Sequence, residues 1–219
     1  MAPGLPYLVG LAGGSGSGKT AVAAAIVDAL RPTTSTCLSL DAYYRDRRGL
    51  PPEERSRLNF DVPEALDLSL FVRDLQALRG GRTIRPPRYC FVTHRRLGRG
   101  QAVAPAEVVL VEGILLLHDP RARGLLDLSL YLEAPAELRL TRRVARDTRE
   151  RGRTVESVMS QCRTSTIPAH REYVEPSKQW ADVVLVNAGR LEPVAEVAAA
   201  LIRAHRERRL DVTDGMKSA

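Results

Sequence analysis

At 219 residues, 44% hydrophobic and 27% charged, the chain has enough apolar sequence for one compact domain over 1–219, and its make-up excludes both wholesale disorder and a membrane-embedded protein. The formal charge of +7 and an isoelectric point near 9.8 suit a nucleic-acid partner and a phosphate-handling enzyme equally well. Cys37, Cys90 and Cys162 are widely scattered with no CxxC spacing, which argues against a disulfide framework or a zinc site.

The opening MAPGLPYLVG carries no basic segment ahead of its apolar residues, so no cleavable export signal is expected. Tyr7–Ala12 is an apolar run of strand length, and the pattern over Thr20–Leu30 is helical. Further short apolar runs at Thr36–Leu40, Val108–Val111, Leu128–Leu132 and Val183–Val186 predict parallel strands buried on both faces. Helical patterns over Pro63–Leu78, Pro135–Arg149, Val155–Tyr173 and Leu191–Arg208 supply the crossovers, with Pro63 and Pro135 at first-turn positions that tolerate proline. The expectation is an α/β fold, a doubly wound parallel sheet of about five strands. The segment Arg79–Gln101, rich in Gly, Pro and Arg around Tyr89-Cys90-Phe91-Val92, reads as a β-hairpin standing off the sheet, and a connection this elaborate is usually functional. The longest apolar stretch, Val108–Leu117, is broken by Glu112 and Gly113 and falls far short of the roughly 20 residues needed to cross a bilayer. No membrane association is expected, and the cytoplasm is the expected location. Residues after Leu210 are expected to fray.

Between the first strand and the first helix lies Gly13-Gly14-Ser15-Gly16-Ser17-Gly18-Lys19-Thr20, which satisfies G-x-x-x-x-G-K-[ST]. Its glycines let consecutive N–H groups turn toward phosphate oxygens at the positive end of the next helix, and Lys19 reaches the β and γ phosphates. The pattern predicts an ATP-dependent P-loop kinase. Mg²⁺ needs hard oxygen ligands: Thr20 offers a hydroxyl, and Glu112, directly after Val108-Val109-Leu110-Val111, offers a carboxylate where open α/β sheets place their ligands. Asp41 ends the second strand in the same way. On position alone Asp41 is equally a turn N-cap, whereas for Glu112 a mere surface role at the strand end is the lesser alternative.

With the phosphate loop, the strings LSLDAYYRD, LNFDVPEALD, FVTHRR, VVLVEGILLL and RRVARDTRERGRTVESVMSQ resemble the uridine kinase (uridine-cytidine kinase) family in order and spacing, from about Tyr7 to Asn187. The resemblance implies a nucleoside-kinase-like P-loop fold, with a substrate-capping hairpin over 79–101 and an Arg-rich lid over 139–165. It further implies transfer of the ATP γ-phosphoryl group to the 5′-hydroxyl of uridine or cytidine, with GTP as another conceivable donor. By that likeness Asp41 is the base on the acceptor hydroxyl, Asp61 takes the ribose hydroxyls with Phe60 beside it, Tyr89 lies against the pyrimidine and His94 reads its edge. Tyr44 and Gln161 match further substrate-side positions. Cys90 departs from the family, which typically carries Asp there.

Arg139, Arg142, Arg143, Arg146, Arg149, Arg151 and Arg153 crowd fifteen residues, and like charges so dense repel unless anions or carboxylates lie close. Matched to the family's lid, Arg143 contacts the ribose side and Arg146, Arg151 and Arg153 close on the triphosphate, a task for which the planar guanidinium fork is apt. The competing readings are a kinase of another small alcohol, such as pantothenate or ribulose 5-phosphate, and a nucleotide-dependent ATPase acting on nucleic acid. The favoured reading takes a nucleoside as partner, with no nucleic acid, and a homo-tetramer is expected from the family likeness alone.

Overall fold

The computed structural model describes residues 5–217, with the side chains of Ser56 and of residues from 210 onward outside the description. In chain order the regular elements are β1 (Tyr7–Ala12), α1 (Lys19–Ala29), β2 (Ser35–Ser39), α2 (Pro52–Arg57), α3 (Leu68–Arg79), β3 (Pro87–Cys90), β4 (Arg95–Arg99) and β5 (Val108–Glu112). They continue as α4 (Pro120–Arg123), β6 (Leu128–Glu133), α5 (Ala136–Arg151), α6 (Val155–Gln161), α7 (Ile167–Ala169), β7 (Val183–Val186) and α8 (Leu191–Lys217). Five strands form a parallel sheet in the order β2-β5-β1-β6-β7. Every residue of β1 and β5 is buried, as continuous apolar strands covered on both faces must be.

One face is covered by α1 and α8, where Val22, Ile26 and Leu30 meet Ala195, Ala198, Ala199 and Ile202. The other face takes Phe71, Val72, Leu75 and Leu78 of α3 together with Leu115, Leu116 and Leu117. Because the order changes direction at β1, the loops leaving β1 and β5 open a crevice at the carboxyl end of the sheet, where such folds bind ligands.

The pattern over Pro63–Leu78 is divided in the structure. Pro63–Ala65 makes only a 3₁₀ turn, Leu66 is extended and bridges Tyr44, and α3 begins afresh behind Asp67, whose side chain accepts from Leu70 N at 3.2 Å. That cap also anchors the hairpin: Arg96 of β4 bonds Asp67 Oδ2 at 3.3 Å and the carbonyls of Tyr44 at 2.7 Å and Tyr43 at 3.0 Å. The pattern over Val155–Tyr173 remains helical, but π turns at Cys162–Thr166 and His170–Val174 flank α7. Pro168 supplies no N–H and its ring crowds the carbonyl four residues earlier, which accounts for the widened turn ahead of it. α2 and α4, of six and four residues, had no periodic signal long enough to read. The expected fraying of 210–219 falls on residues that lie outside the described side chains and, for 218 and 219, outside the described chain.

Candidate active site

The phosphate loop is shaped by glycine where nothing larger fits. Gly13 and Gly16 have φ of 145° and 79°, and a Cβ on them would overlap the carbonyl oxygens of Leu132 and Arg139 respectively, so both close approach and backbone sign demand glycine. The Gly14 carbonyl accepts from Ser17 N and from Lys19 Nζ, each at 3.0 Å. From beneath, buried Asn187 donates Nδ2 to the Ser17 carbonyl at 2.8 Å and Arg142 reaches the same oxygen at 3.2 Å. Burial lowers the Lys19 pKa, an effect that Glu112 and Asp41 oppose. An anion on the loop would relieve that burial penalty.

At the end of β5, Glu112 is 2% exposed. Its Oε1 accepts from Ser39 Oγ at 2.6 Å and from Thr20 Oγ1 at 3.3 Å. Burial raises its pKa, with Asp41 adding to the rise and Lys19 opposing it. Ser39 also accepts from Asp41 N at 3.3 Å, so one serine fixes the carboxylate of β5 and the turn that carries Asp41. This set consists of hard oxygens only and fits a Mg²⁺ ion that takes its remaining ligands from phosphate and water. Sequence reasoning missed Ser39; its place two residues before Asp41 at a strand end was the available signal.

A cleft of ≈ 790 Å³ joins this corner to an aromatic chamber. Tyr44 meets Phe60 and Phe91 edge-on at 5.8 Å and 6.0 Å and lies tilted against Tyr89 at 5.1 Å. His94 stacks on Phe60 at 4.2 Å, and its Nδ1 lies 3.3 Å from the Tyr89 hydroxyl. Burial, with the charges of Arg151, Arg153 and Arg55 adding, brings the His94 pKa down to about 4, so the ring is neutral near pH 7. Beside the aromatic group, Asp61 accepts from Thr166 Oγ1 at 2.8 Å and faces Arg143 at 3.5 Å. Arg143 also bonds Ser15 Oγ at 2.9 Å and Gln161 Oε1 at 3.1 Å. Burial alone would push the Arg143 pKa down, but Asp61 and Asp147 outweigh it. Cys90, half-buried on β3, does not line the cleft; hydrogen bonds with Thr93 hold its thiol below the usual value.

The cleft brings together Ser15, Gly16, Gly18, Lys19, Thr20, Asp41, Glu112 and every residue expected on the substrate side: Tyr44, Phe60, Asp61, Tyr89, His94, Arg143 and Gln161. Arg146, Arg151 and Arg153 line it too, whereas Gly13, Gly14 and Ser17 of the loop do not. The seven arginines divide. Among the described residues Arg149 is exposed and its ion pair is with Glu150, Arg139 lines a second pocket beside Gly14, and Arg142 supports the loop. Arg143, Arg146, Arg151 and Arg153 meet on Asp147, a convergence sequence reasoning did not anticipate.

A nucleotide-phosphate cradle that opens into a chamber for a small acceptor, with Asp41 on the wall they share, is arranged for phosphoryl transfer and makes the chain a P-loop kinase. Its family is narrower. The model of the Phosphoribulokinase / Uridine kinase family matches residues 8–192, and the chain belongs to that family. It is 42% identical over 199 residues to the uridine kinase of Chloroflexus aurantiacus, covering 91% of this chain and 95% of that one. The uridine kinase of Clostridium perfringens is 38% identical over 198 residues, covering 90% and 95%. The fold is also that of phosphoribulokinase from Rhodobacter spheroides, with a TM-score of 0.60 at 15% identity over 85% of this chain and 74% of that one. No helix among the described residues is long and apolar enough to cross a membrane.

Proposed function

We propose that the chain transfers the γ-phosphoryl group of ATP to the 5′-hydroxyl of uridine or cytidine, giving the nucleoside monophosphate. The observation that carries this reading is the aromatic chamber of Tyr44, Phe60, Tyr89 and His94 opening beside the buried Asp61, in the same cleft as the phosphate loop. An aromatic platform with a neutral imidazole at its edge suits a pyrimidine, and a carboxylate beside it suits a ribose diol. With its Nδ1 turned to Tyr89, His94 has Nε2 left for the base edge. The names of the relatives above support the same substrate class.

In this mechanism the N–H groups of the loop and Lys19 bind the triphosphate, while Thr20 and Glu112 would hold Mg²⁺, which would supply neutralising positive charge there. Asp41 orients the 5′-hydroxyl and takes its proton, and Arg146, Arg151 and Arg153 meet the charge on the transferring group. GTP is an alternative donor on the same cradle. The reading goes with a nucleoside partner rather than a nucleic acid, a cytoplasmic location, and a tetramer by family resemblance.

A coupled assay of ADP release across nucleosides, pantothenate and ribulose 5-phosphate tests it. Uridine or cytidine is expected to release ADP in step with monophosphate formed, and turnover confined to pantothenate or ribulose 5-phosphate would overturn the substrate assignment. 2′-Deoxyuridine is expected to be poorer by about ten- to a hundredfold in kcat/KM, because a carboxylate oxygen of Asp61 then loses a partner, at about 1.5–3 kcal/mol. Asp61→Asn should narrow that ratio; an unchanged ratio would remove Asp61 from ribose recognition.

Arg151 provides a separate check on the cluster. Its guanidinium lies 4.2 Å over the Phe91 ring, and burial lowers its pKa, as does Arg146. Arg151→Ala is expected to lose at least about tenfold in kcat/KM, the size for a charge-assisted contact. The ligand-free melting temperature should stay within about 4 °C of the parent, the shift of roughly 1 kcal/mol in a chain of this size. Steady-state kinetics beside a melt decides: kinetics within a factor of two would make Arg151 a surface charge, and a larger melting shift would make it structural.

A further inference from the structure

Asp147 is fully buried, and four guanidinium groups reach its carboxylate. Arg146 places Nε at 2.9 Å and Nη2 at 2.8 Å from Oδ1, and Arg151 Nη1 lies 3.3 Å from the same oxygen. Arg143 Nε is 3.7 Å and Arg153 Nη1 3.6 Å from Oδ2, which forms no hydrogen bond among the described residues. Arg143 also faces Asp61, so four positive charges against two carboxylates leave an excess of two, and this is not a neutralised ion pair of the core. A carboxylate so outnumbered cannot cancel the cluster's field; what it fixes is direction.

Backbone geometry explains how one residue gathers so many. Arg143 and Arg151 stand one turn before and after Asp147 on α5, where side chains four residues apart are neighbours. Gly152 then takes a left-handed φ of 64° and reverses the chain, so that Arg153 N donates to the Asp147 carbonyl at 3.2 Å and its side chain returns to the same point. Without the carboxylate the four guanidiniums repel one another, and the long side chains of Arg146, Arg151 and Arg153 gain freedom to swing into solvent.

We propose that Asp147 is a positioning residue that holds Arg146, Arg151 and Arg153 on the wall of the phosphate cleft before the nucleotide arrives. The proposal rests on the ATP-dependent reading above but not on the identity of the acceptor. Asp147 does not line the cleft and acts through the arginines. Pre-ordering them removes an ordering cost from nucleotide binding and from the transition state. An excess of positive charge remains on the cleft wall to attract the triphosphate.

The test is Asp147→Asn, which keeps the side chain's shape and removes its charge, read by calorimetric binding of a non-hydrolysable ATP analogue and by kinetics. The expected result is a Kd for the analogue and a KM for ATP at least about tenfold higher, with kcat also lower. Arg151→Ala, costing about tenfold in the parent, should cost less than about threefold in the Asp147→Asn background, the non-additivity of residues acting as a unit. An unchanged Kd with a lowered melting temperature would make Asp147 merely structural and overturn the proposal. So would tighter nucleotide binding, which would mean that Asp147 competes with phosphate for the arginines, and so would costs that simply multiply. If Asp147→Asn does not fold, Asp147→Glu decides, because it keeps the charge but displaces it by one methylene. A Kd raised at least about threefold supports positioning, and one within a factor of two of the parent overturns it. A parent that binds the analogue yet does not phosphorylate uridine or cytidine refutes the substrate reading alone, since the Asp147 test is read by binding.

Discussion

Asp41→Asn is expected to lower kcat by about 10² or more, the usual size for loss of a positioned base, while the Kd values for an ATP analogue and for nucleoside stay near those of the parent. The motive is geometric. Asp41 sits in the 3₁₀ turn Leu40–Tyr43 directly after β2, with its backbone N–H pinned to Ser39 Oγ at 3.3 Å. It lines the cleft that the phosphate loop and the aromatic chamber share. Among the described residues its carboxylate accepts no hydrogen bond and joins no ion pair, unlike Asp61 and Asp147, each of which is held by arginine. A carboxylate left free in a site so rich in cations is available to a substrate hydroxyl. Asparagine preserves the shape and the Ser39 contact, so the loss should fall on kcat and not on binding. Near-parental turnover would end the assignment of Asp41 as base.

Lys19→Ala and Glu112→Gln are each expected to reduce turnover by about 10³ or more, the upper range for removing a preorganised electrostatic partner, and by different routes. Lys19 is the buried cation of the loop, whereas Glu112 gathers Thr20 and Ser39 about one carboxylate oxygen. Excess Mg²⁺ should recover part of the activity of Glu112→Gln and none of that of Lys19→Ala, and an identical response of the two variants would show that Glu112 is not the metal carboxylate. A pH dependence follows with a definite sign. Burial, with Asp41 adding, raises the Glu112 pKa, so as pH falls the neutral acid gains and protons displace the metal. The apparent Mg²⁺ affinity of the parent should therefore weaken as pH falls, and this dependence should flatten in Glu112→Gln. Equal slopes in the two proteins would place the titration elsewhere.

Within the sheet, sequence and structure agree closely for reasons that are local. β1 and β7 coincide with the apolar runs at Tyr7–Ala12 and Val183–Val186, β5 and β6 extend theirs by one residue at the carboxyl end, and β2 is displaced from its run by one residue. β1, β5 and β6, buried almost throughout, need an unbroken apolar run whatever surrounds them. The sheet-edge strands β2 and β7 are only partly buried, contrary to the burial on both faces expected of their runs, because each has a neighbour on one side only. The phosphate loop was equally legible, since its glycines and its lysine are required by backbone sign, by close approach and by charge. Asp41 and Glu112 were singled out because a strand's carboxyl end in an open α/β sheet is a functional position before any contact is known, and both line the cleft.

Other features depended on partners distant in the chain. The division of Pro63–Leu78 into a 3₁₀ turn and α3 follows from the bridge between Leu66 and Tyr44 and from the tie of Asp67 to Arg96, which no periodicity contains. Thr166 became a partner of Asp61 across 105 residues only through the π turn ahead of Pro168. Ser39 gained its role when β2 and β5 paired and put it opposite Glu112. The seven arginines form one undivided basic run in sequence. Their separate tasks of bracing the loop, facing Asp61 and gathering on Asp147 arise from the winding of α5 and the chain's reversal at Gly152. The sequence by itself determined the strands of the sheet, the nucleotide loop and the carboxylates at the strand ends, because apolar periodicity and backbone sterics act within a few residues. Only the tertiary structure decided which charges meet, because a guanidinium reaches any carboxylate within a few ångströms, and folding alone brings those groups together.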